Sequence, residues 1–499
     1  MTTDRQMLDL IHEYGTALSQ FEFDQAHKLA DNFRSAHSST VHDKMWLLLL
    51  QRLMDISQCE KSYFALTFLH PKSTLSFARK EPTLTRTSYR WVREELASTI
   101  RTTQQTTSDR RSVSMHMTQQ LYALVCARCD MITCYERLAA IVSKSLTEDH
   151  AQFVRAIQRN YTGAFEHWVL SSVRAAVSAE IDALLSLLTA TTAIEQLNLL
   201  ECLVCVKEAH GRLSGWLVGH NVKTVDSSKT QSSWFGFGST SKPQLPLALC
   251  VWLREYYEFL LGKLTFYFHD YFARQAPPAE FKQQVTQLPA AVNFGVRCVT
   301  FARRNDAQFV SLLTNAQQMQ GHPCAVSEHA VSQFSIVSNT TMKHHLDGAQ
   351  TGTRFGIGDE FEEQQQQPAV SLLSSAVCPA ADDAHAQTGG LRNYEFAFNV
   401  AVSDTVTSEM HRLLPTLVMC WSQHESVFEN ESRVTLRSVQ DKQRNWTVYM
   451  SSIDERVLLL VCMSGQRTQP DAALVNFVTQ LVEDCRCAHV FARLKTACR

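Results

Sequence analysis

VWLREYYEFLLGKLTFYFHDYFARQ, residues 251–275, carries nine aromatic side chains in twenty-five positions. They are Trp252, Tyr256, Tyr257, Phe259, Phe266, Tyr267, Phe268, Tyr271 and Phe272. Leu253, Tyr256, Leu260, Leu264, Tyr267 and Tyr271 recur at steps of three and four, the period of one helix face. Glu258, Gly262, Thr265 and His269 recur in the same way on another face. The spacing predicts one long helix with a wide apolar arc and a polar stripe, so other helices or a partner must cover most of it. Trp252, Tyr256, Phe266, Tyr267 and Phe268 are the candidate packing or interaction residues. Three adjacent aromatics sweep a wide arc of a helix, so at least two of Phe266, Tyr267 and Phe268 should be buried.

Outward from this stretch, residues 45–68, 118–142, 160–191 and 193–218 also read as helices, with few glycines or prolines and many Ala, Leu, Glu and Arg. Breaks are expected at His70-Pro71, at 102–110 and at 227–246. The order of helices and short connections predicts an antiparallel helical bundle over 1–315. At 316–390, Gly, Ser, Gln, His and Ala dominate, which predicts a flexible linker or insertion. Over 391–499 the pattern changes again. Residues 415–421 (PTLVMCW), 433–439, 446–450 and 456–463 read as strands, with turns near 441–445 and 452–455. Residues 471–485 read as an amphipathic helix. The expected fold class is α+β, mainly α, with a small C-terminal antiparallel sheet plus helix.

The bulk composition is that of a globular protein: 499 residues, 45% hydrophobic and 19% charged. That length favours two or three domains. A formal net charge of −2 provides no overall field for nucleic acid or anionic membrane. The charged start MTTDRQMLDL predicts no secretory signal. The longest wholly apolar runs fall short of the ~20 residues that span a bilayer, and no lipidation motif is evident. Fifteen scattered cysteines fit reduced thiols better than a disulfide framework.

Motifs that carry chemistry are sparse. Cys126-x-x-Cys129 and Cys202-x-x-Cys205 have metal-like spacing, but both lie in helical runs without knuckle glycines, where small buried thiols explain them better. Cys485-x-Cys487-x-His489 lacks a nearby fourth ligand. His322, His329 and His344-His345 lie in the expected linker. Gly236-x-Gly238 and Gly356-x-Gly358 lack the strand, third glycine and helix of a dinucleotide site. No phosphate loop, nucleophile elbow or zincin motif is present, so neither an enzyme nor a cofactor is expected. Arg79, Lys80, Arg86, Arg90, Arg93 and Arg101, with Arg110-Arg111 beyond, form a basic stretch interrupted by Glu81, Glu94 and Glu95. It suits a solvated helix face or an acidic protein partner better than nucleic acid. Trp234 and Phe235, with Phe237, sit in a Ser/Gly-rich loop. They either dock into a partner as a linear peptide or fold back on the bundle.

The run LGKLTFYFHDYFARQ, residues 261–275, resembles the signature helix of a family of KICSTOR complex subunits. KICSTOR is a scaffold complex of the lysosomal surface. Further segments are similar in the same order. They are 56–69 (Glu60-Lys61, Tyr63, Leu66-Thr67, Leu69), then Phe77, Arg79-Lys80, Tyr89 and Glu95-Leu96. After these come 126–138 (Ala127-Arg128, Tyr135-Glu136), 301–313, which resembles a helix end and strand of the family, and the closing HVFARLK at 489–495. The resemblance spans most of 45–499, with 316–390 divergent, and it brings no catalytic residue.

It implies a non-catalytic scaffold subunit with a helical N-terminal domain and a C-terminal roadblock- or longin-like α/β domain. The implied partners are the other KICSTOR subunits and the GATOR complex, which acts on Rag GTPases and restrains TOR complex 1 when amino acids or glucose are short. The implied location is the cytoplasm and the lysosomal membrane, reached through partners without direct insertion. The competing reading from a different class is an adaptor or tether in vesicle trafficking that binds small GTPases.

Overall fold

The computed structural model describes residues 4–37, 44–69, 85–106, 112–141, 148–164, 166–217, 247–315, 394–430 and 434–496. They form mostly helices with one five-stranded antiparallel sheet. Two compact units emerge: one from residues 1–261, 431–434 and 476–499, the other from 262–430 and 435–475. The expected linker at 316–390 and the loop at 227–246, with Trp234 and Phe235, lie outside the described residues.

The first unit is helical. Its helices are α1 (Asp4–Ser19), α2 (Phe23–His37), α3 (Lys44–Phe64), α4 (Thr85–Thr106), α5 (Val113–Ala139), α6 (Glu148–Tyr161), α7 (Ser171–Glu195) and α8 (Leu199–Leu217). Each packs on the next in sequence, and α1 also packs on α7. Short or well-spaced connections explain that order, because neighbours in sequence lose least entropy on meeting. The expected continuous helix at 160–191 is broken. α6 ends at Tyr161, a short 3-10 turn occupies Trp168–Leu170, and α7 starts at Ser171. The His167 side chain caps that turn by accepting from the Val169 N–H. By length and composition, Trp168–Glu195 would be long and apolar enough to cross a membrane, yet 61% of its apolar window is buried inside the protein. Val177, Ile181, Leu184, Leu188 and Thr191 are among its core positions.

α9 (Ala248–Tyr267) contains the aromatic stretch, and α10 (His269–Gln275) follows it. The expected single helix is therefore interrupted at Phe268, whose φ of −118° and ψ of 25° leave helical geometry. The first half of α9 belongs to the helical unit. Trp252 Nε1 donates to the Val490 carbonyl at 2.8 Å, and the Tyr256 hydroxyl meets Thr191 Oγ1 at 2.6 Å. Val490 lies on α15 (Ala488–Thr496), where the Phe491 ring meets Trp252 at a tilt and Tyr256 edge-on. Arg493 on the same short helix pairs with Glu255 at 3.0 Å.

From Gly262 onward the chain belongs to the second unit. The polar stripe is not a free face there. A Cβ built on Gly262 would lie 2.2 Å from the Val292 carbonyl oxygen, so only glycine lets that backbone approach. Gly211 on α8 is the contrast: nothing lies within 4 Å of an added Cβ. Gly262→Ala is therefore expected to destabilise by about 1–3 kcal/mol through forced backbone movement. Gly211→Ala is expected to stabilise by about 0.5–1 kcal/mol through lost unfolded-state freedom. Urea denaturation of the two variants checks both signs.

After α11 (Pro278–Gln287) and α12 (Phe294–Arg304) come β1 (Ala307–Asn315), β2 (Tyr394–Ala401), α13 (Asp404–Asn430), β3 (Arg437–Asp441), β4 (Trp446–Asp454) and β5 (Val457–Ser464). The sheet order is β2-β1-β5-β4-β3. β1 pairs Val310 with Val400 on one side and Val461 on the other. Residues 262–315, assigned from sequence to the helical bundle, thus lie in the sheet-bearing unit, and β1 is an inner strand. Its run AQFVSLLTN is buried on both faces, so it lacks the alternation that marks a half-exposed strand.

A second correction concerns 415–421. This segment lies inside α13, not in a strand. Met410, Leu413, Leu417 and Trp421 are buried at steps of three and four and pack on Phe309, Leu313, Met450, Leu458 and Leu460 of the sheet. Pro415 is exposed within the helix, and the carbonyl it strands belongs to exposed His411, where water can take the lost bond. The expected strand at 433–439 begins later, at Arg437. α14 (Ala472–Cys485) buries Leu474, Val478, Leu481 and Val482.

Candidate functional site

Charged side chains are rare in protein interiors because ions leave water at a cost that only good pairing offsets. The first unit nevertheless buries three together. Glu60 on α3 is 4% exposed, Arg128 on α5 is 2% exposed, and Glu180 on α7 is fully buried. Arg128 Nε and Nη2 donate to the two Glu60 oxygens at 2.7 and 3.0 Å. Its Nη1 donates to Glu180 Oε2 at 2.5 Å. A planar guanidinium fork can serve two carboxylates in this way, and a lysine point charge could not.

Three phenols complete the shell. Tyr89 on α4 donates to Glu60 at 2.7 Å, Tyr135 on α5 donates to Glu180 at 3.0 Å, and Tyr63 on α3 donates to Glu180 as well. Each carboxylate therefore accepts three donors. Burial, and next the Glu180 carboxylate, hold the Tyr63 and Tyr135 hydroxyls well above their usual range. Burial and then Glu60 do the same for Tyr89, so all three remain donors at neutral pH. Burial alone would lower the Arg128 guanidinium, but Glu60 and Glu180 more than reverse it. The Tyr63 ring also lies beneath Arg128 at 4.5 Å. This network joins α3, α4, α5 and α7 and is closed to solvent, so its chemistry is cohesion.

The second unit holds a smaller counterpart. Lys263 on α9 is fully buried and pairs with Asp454 at the end of β4 at 2.9 Å. Tyr267, one turn along, donates to the same carboxylate at 2.5 Å.

Open surface features lie elsewhere on the helical unit. A groove of about 600 Å3 between α6, α7 and α8 is lined by Arg155, Asp182, Leu185, Cys205, Glu208 and Arg212, among others. Within it Arg212 pairs with Asp182 at 3.3 Å, and Gln158 also donates to Asp182. Burial, with Glu201 and Glu208 nearby, pushes the Cys205 thiol up to about 11, so it is a protonated thiol. Leu200 and Val204 on the same helix are about half exposed, as are Trp168 and Trp91, and Arg52 lies over the Trp91 ring at 4.3 Å.

The sequence-derived candidates fall differently. Trp252, Tyr256, Phe266, Tyr267 and Phe268 are all buried, none more than 7% exposed, so they are packing residues. Cys126 and Cys129 are half-buried on α5, whereas Cys202 and Cys205 are buried on α8. Among the described residues, no group of three or more His, Cys, Asp or Glu side chains is placed to hold a metal.

A family model described as "KICSTOR complex C12orf66 like" matches residues 3–332. The chain belongs to this family. KICSTOR subunit 2 of Xenopus laevis is 27% identical over 328 residues, covering 63% of this chain and 71% of that protein. KICSTOR subunit 2 of Danio rerio is 28% identical over 324 residues, covering 63% and 70%.

Five of the residues that carried the resemblance in the sequence converge in space. Glu60, Tyr63, Tyr89, Arg128 and Tyr135 come from three separate segments and meet in the buried network. Phe491, from the closing HVFARLK segment, packs on Trp252 and Tyr256. These motif residues are parts of cores. Sequence reasoning missed Glu180 and the Lys263–Asp454 pair. The available signals were a glutamate at a core-facing position of the largely apolar α7 and a lone lysine amid Leu and aromatic residues in α9.

Proposed function

We propose that this chain is a non-catalytic scaffold subunit of a KICSTOR-like complex, which recruits the GATOR complex to the lysosome and restrains TOR complex 1 when amino acids or glucose are short. Membership of the KICSTOR family carries this reading. The buried network supports it, since its charged side chains are spent on one another with no access for a substrate. Exposed apolar side chains such as Trp168, Leu200 and Val204 suit protein contacts.

The finer architecture proposed is a helical bundle joined to a roadblock- or longin-like domain. The order of two strands, a helix and three strands, with β5 at the centre of the sheet between β1 and β4, supports it. Location at the lysosomal surface would come through partner proteins, as the formal net charge of −2 gives little attraction to anionic lipid.

Tagging the chain in its native cells and identifying its stable partners tests the reading. Other KICSTOR subunits are expected to co-purify, and deletion should leave TOR complex 1 insufficiently sensitive to amino-acid withdrawal. Recovery of vesicle-coat or tethering proteins, with a normal starvation response in the deletion, would overturn it. Purified protein is expected to leave liposomes unbound and nucleotide unhydrolysed.

A further inference from the structure

The corner between α6 and α7 carries a continuous ladder of aromatic rings. His116 near the start of α5 lies 5.6 Å from His167 between ring centroids. His167 stacks on Trp168 at 6.0 Å, and Trp168 meets His12 of α1 at 5.5 Å. Trp168 is 55% exposed, whereas the next two residues, Val169 and Leu170, are buried. The corner sits tightly on α1, because a Cβ on Gly15 would come within 3.4 Å of the Val169 carbonyl and 3.2 Å of Val173.

Two features make this corner sensitive to protons. The Val169 N–H donates to His167 Nδ1 at 3.4 Å, so the neutral imidazole must carry its hydrogen on Nε2. Protonation places a hydrogen on Nδ1, converts acceptor to donor, and deprives a buried N–H of its partner. The same protonation puts a charge beside His116. Burial first, and His116 second, hold His167 below the ordinary imidazole value of 6.5. Charged or titratable groups close along the neighbouring elements include Asp9, His12 and exposed Glu13 of α1, exposed Arg174 of α7, Arg159 and Tyr161 at the end of α6, and exposed Glu166 of the corner itself.

We propose that the His116–His167 pair is an acid-operated latch on the Trp168 corner, closed while His167 accepts the Val169 N–H and opened when His167 takes up a proton. The sign follows from linkage. The lowered group binds its proton more readily when the corner is open, so closure is fully favoured above the ordinary imidazole value and weakens as pH falls through it. Opening would release an exposed indole from its flanking rings and so change the surface offered to a protein partner.

The test uses the full chain and acrylamide quenching of tryptophan fluorescence, with Trp168→Phe subtracted to isolate one indole. Quenching of Trp168 is expected to rise roughly twofold between about pH 7.5 and about pH 5. His167→Gln supplies an acceptor that does not titrate and should abolish the rise. His116→Gln, at an exposed position, removes the like charge and should move the midpoint to higher pH. His12→Gln should leave the transition in place. A flat wild-type profile would overturn the latch. So would a transition that survives His167→Gln, one lost only in His12→Gln, or a midpoint unmoved by His116→Gln.

Discussion

Arg128→Leu is expected to destabilise the helical unit by about 3–5 kcal/mol, because it removes the guanidinium that pairs with two buried carboxylates. Glu60 and Glu180 would each lose their charge-assisted donors and face one another without compensation. Their phenolic donors on Tyr89, Tyr63 and Tyr135 would remain, but these cannot neutralise a charge. Tyr135→Phe removes one neutral donor, leaves Arg128 in place, and is expected to cost about 1–3 kcal/mol. Replacing Glu60, Arg128 and Glu180 together by apolar residues of similar volume should recover much of the loss, since buried ion clusters are often no more stable than well-packed hydrocarbon. Chemical denaturation followed by circular dichroism ranks the variants. An Arg128→Leu midpoint equal to wild type would show that the network contributes no cohesion.

Phe266→Ala is expected to cost about 3–5 kcal/mol in the sheet-bearing unit. Phe266 is 2% exposed and packs edge-on against Phe398 of β2 at 4.9 Å and near Phe294 of α12 at 5.8 Å. Truncation leaves a cavity beside two rings that cannot collapse without moving a strand. Phe268→Ala should cost less, because Phe268 retains 7% exposure and sits where the helix breaks. Thermal unfolding of both variants measures the difference, and unchanged melting in both would mean that α9 is not central to its core.

Several features were legible because they depend on short-range pattern. The steps of three and four in 251–275 placed α9 but not its break at Phe268, and the turn expected near 441–445 falls at the β3–β4 connection, whereas β4 runs on to Asp454 through most of the turn expected at 452–455. The resemblance identified Glu60, Tyr63, Tyr89, Arg128 and Tyr135 one segment at a time, with no indication that they touch. Glu180, 52 residues beyond Arg128, had only its oddity in an apolar helix to announce it. PTLVMCW read as a strand because its hydrophobic residues are contiguous and follow a proline. Only burial showed that Met410, Leu413, Leu417 and Trp421 form one helix face.

Sequence by itself determined the helical character of the first half of the chain, the last two strands of the sheet and the family, since periodicity, turn residues and motif order are carried by neighbours along the backbone. Tertiary structure decided which aromatics were core, that 307–315 is an inner strand between β2 and β5, and that Gly262 must remain a glycine beneath the Val292 carbonyl. It also decided that two carboxylates, one guanidinium and three phenols share one buried site. Pairing partners and close backbone approaches are set by residues far apart in the chain, and local periodicity holds no record of which of them meet.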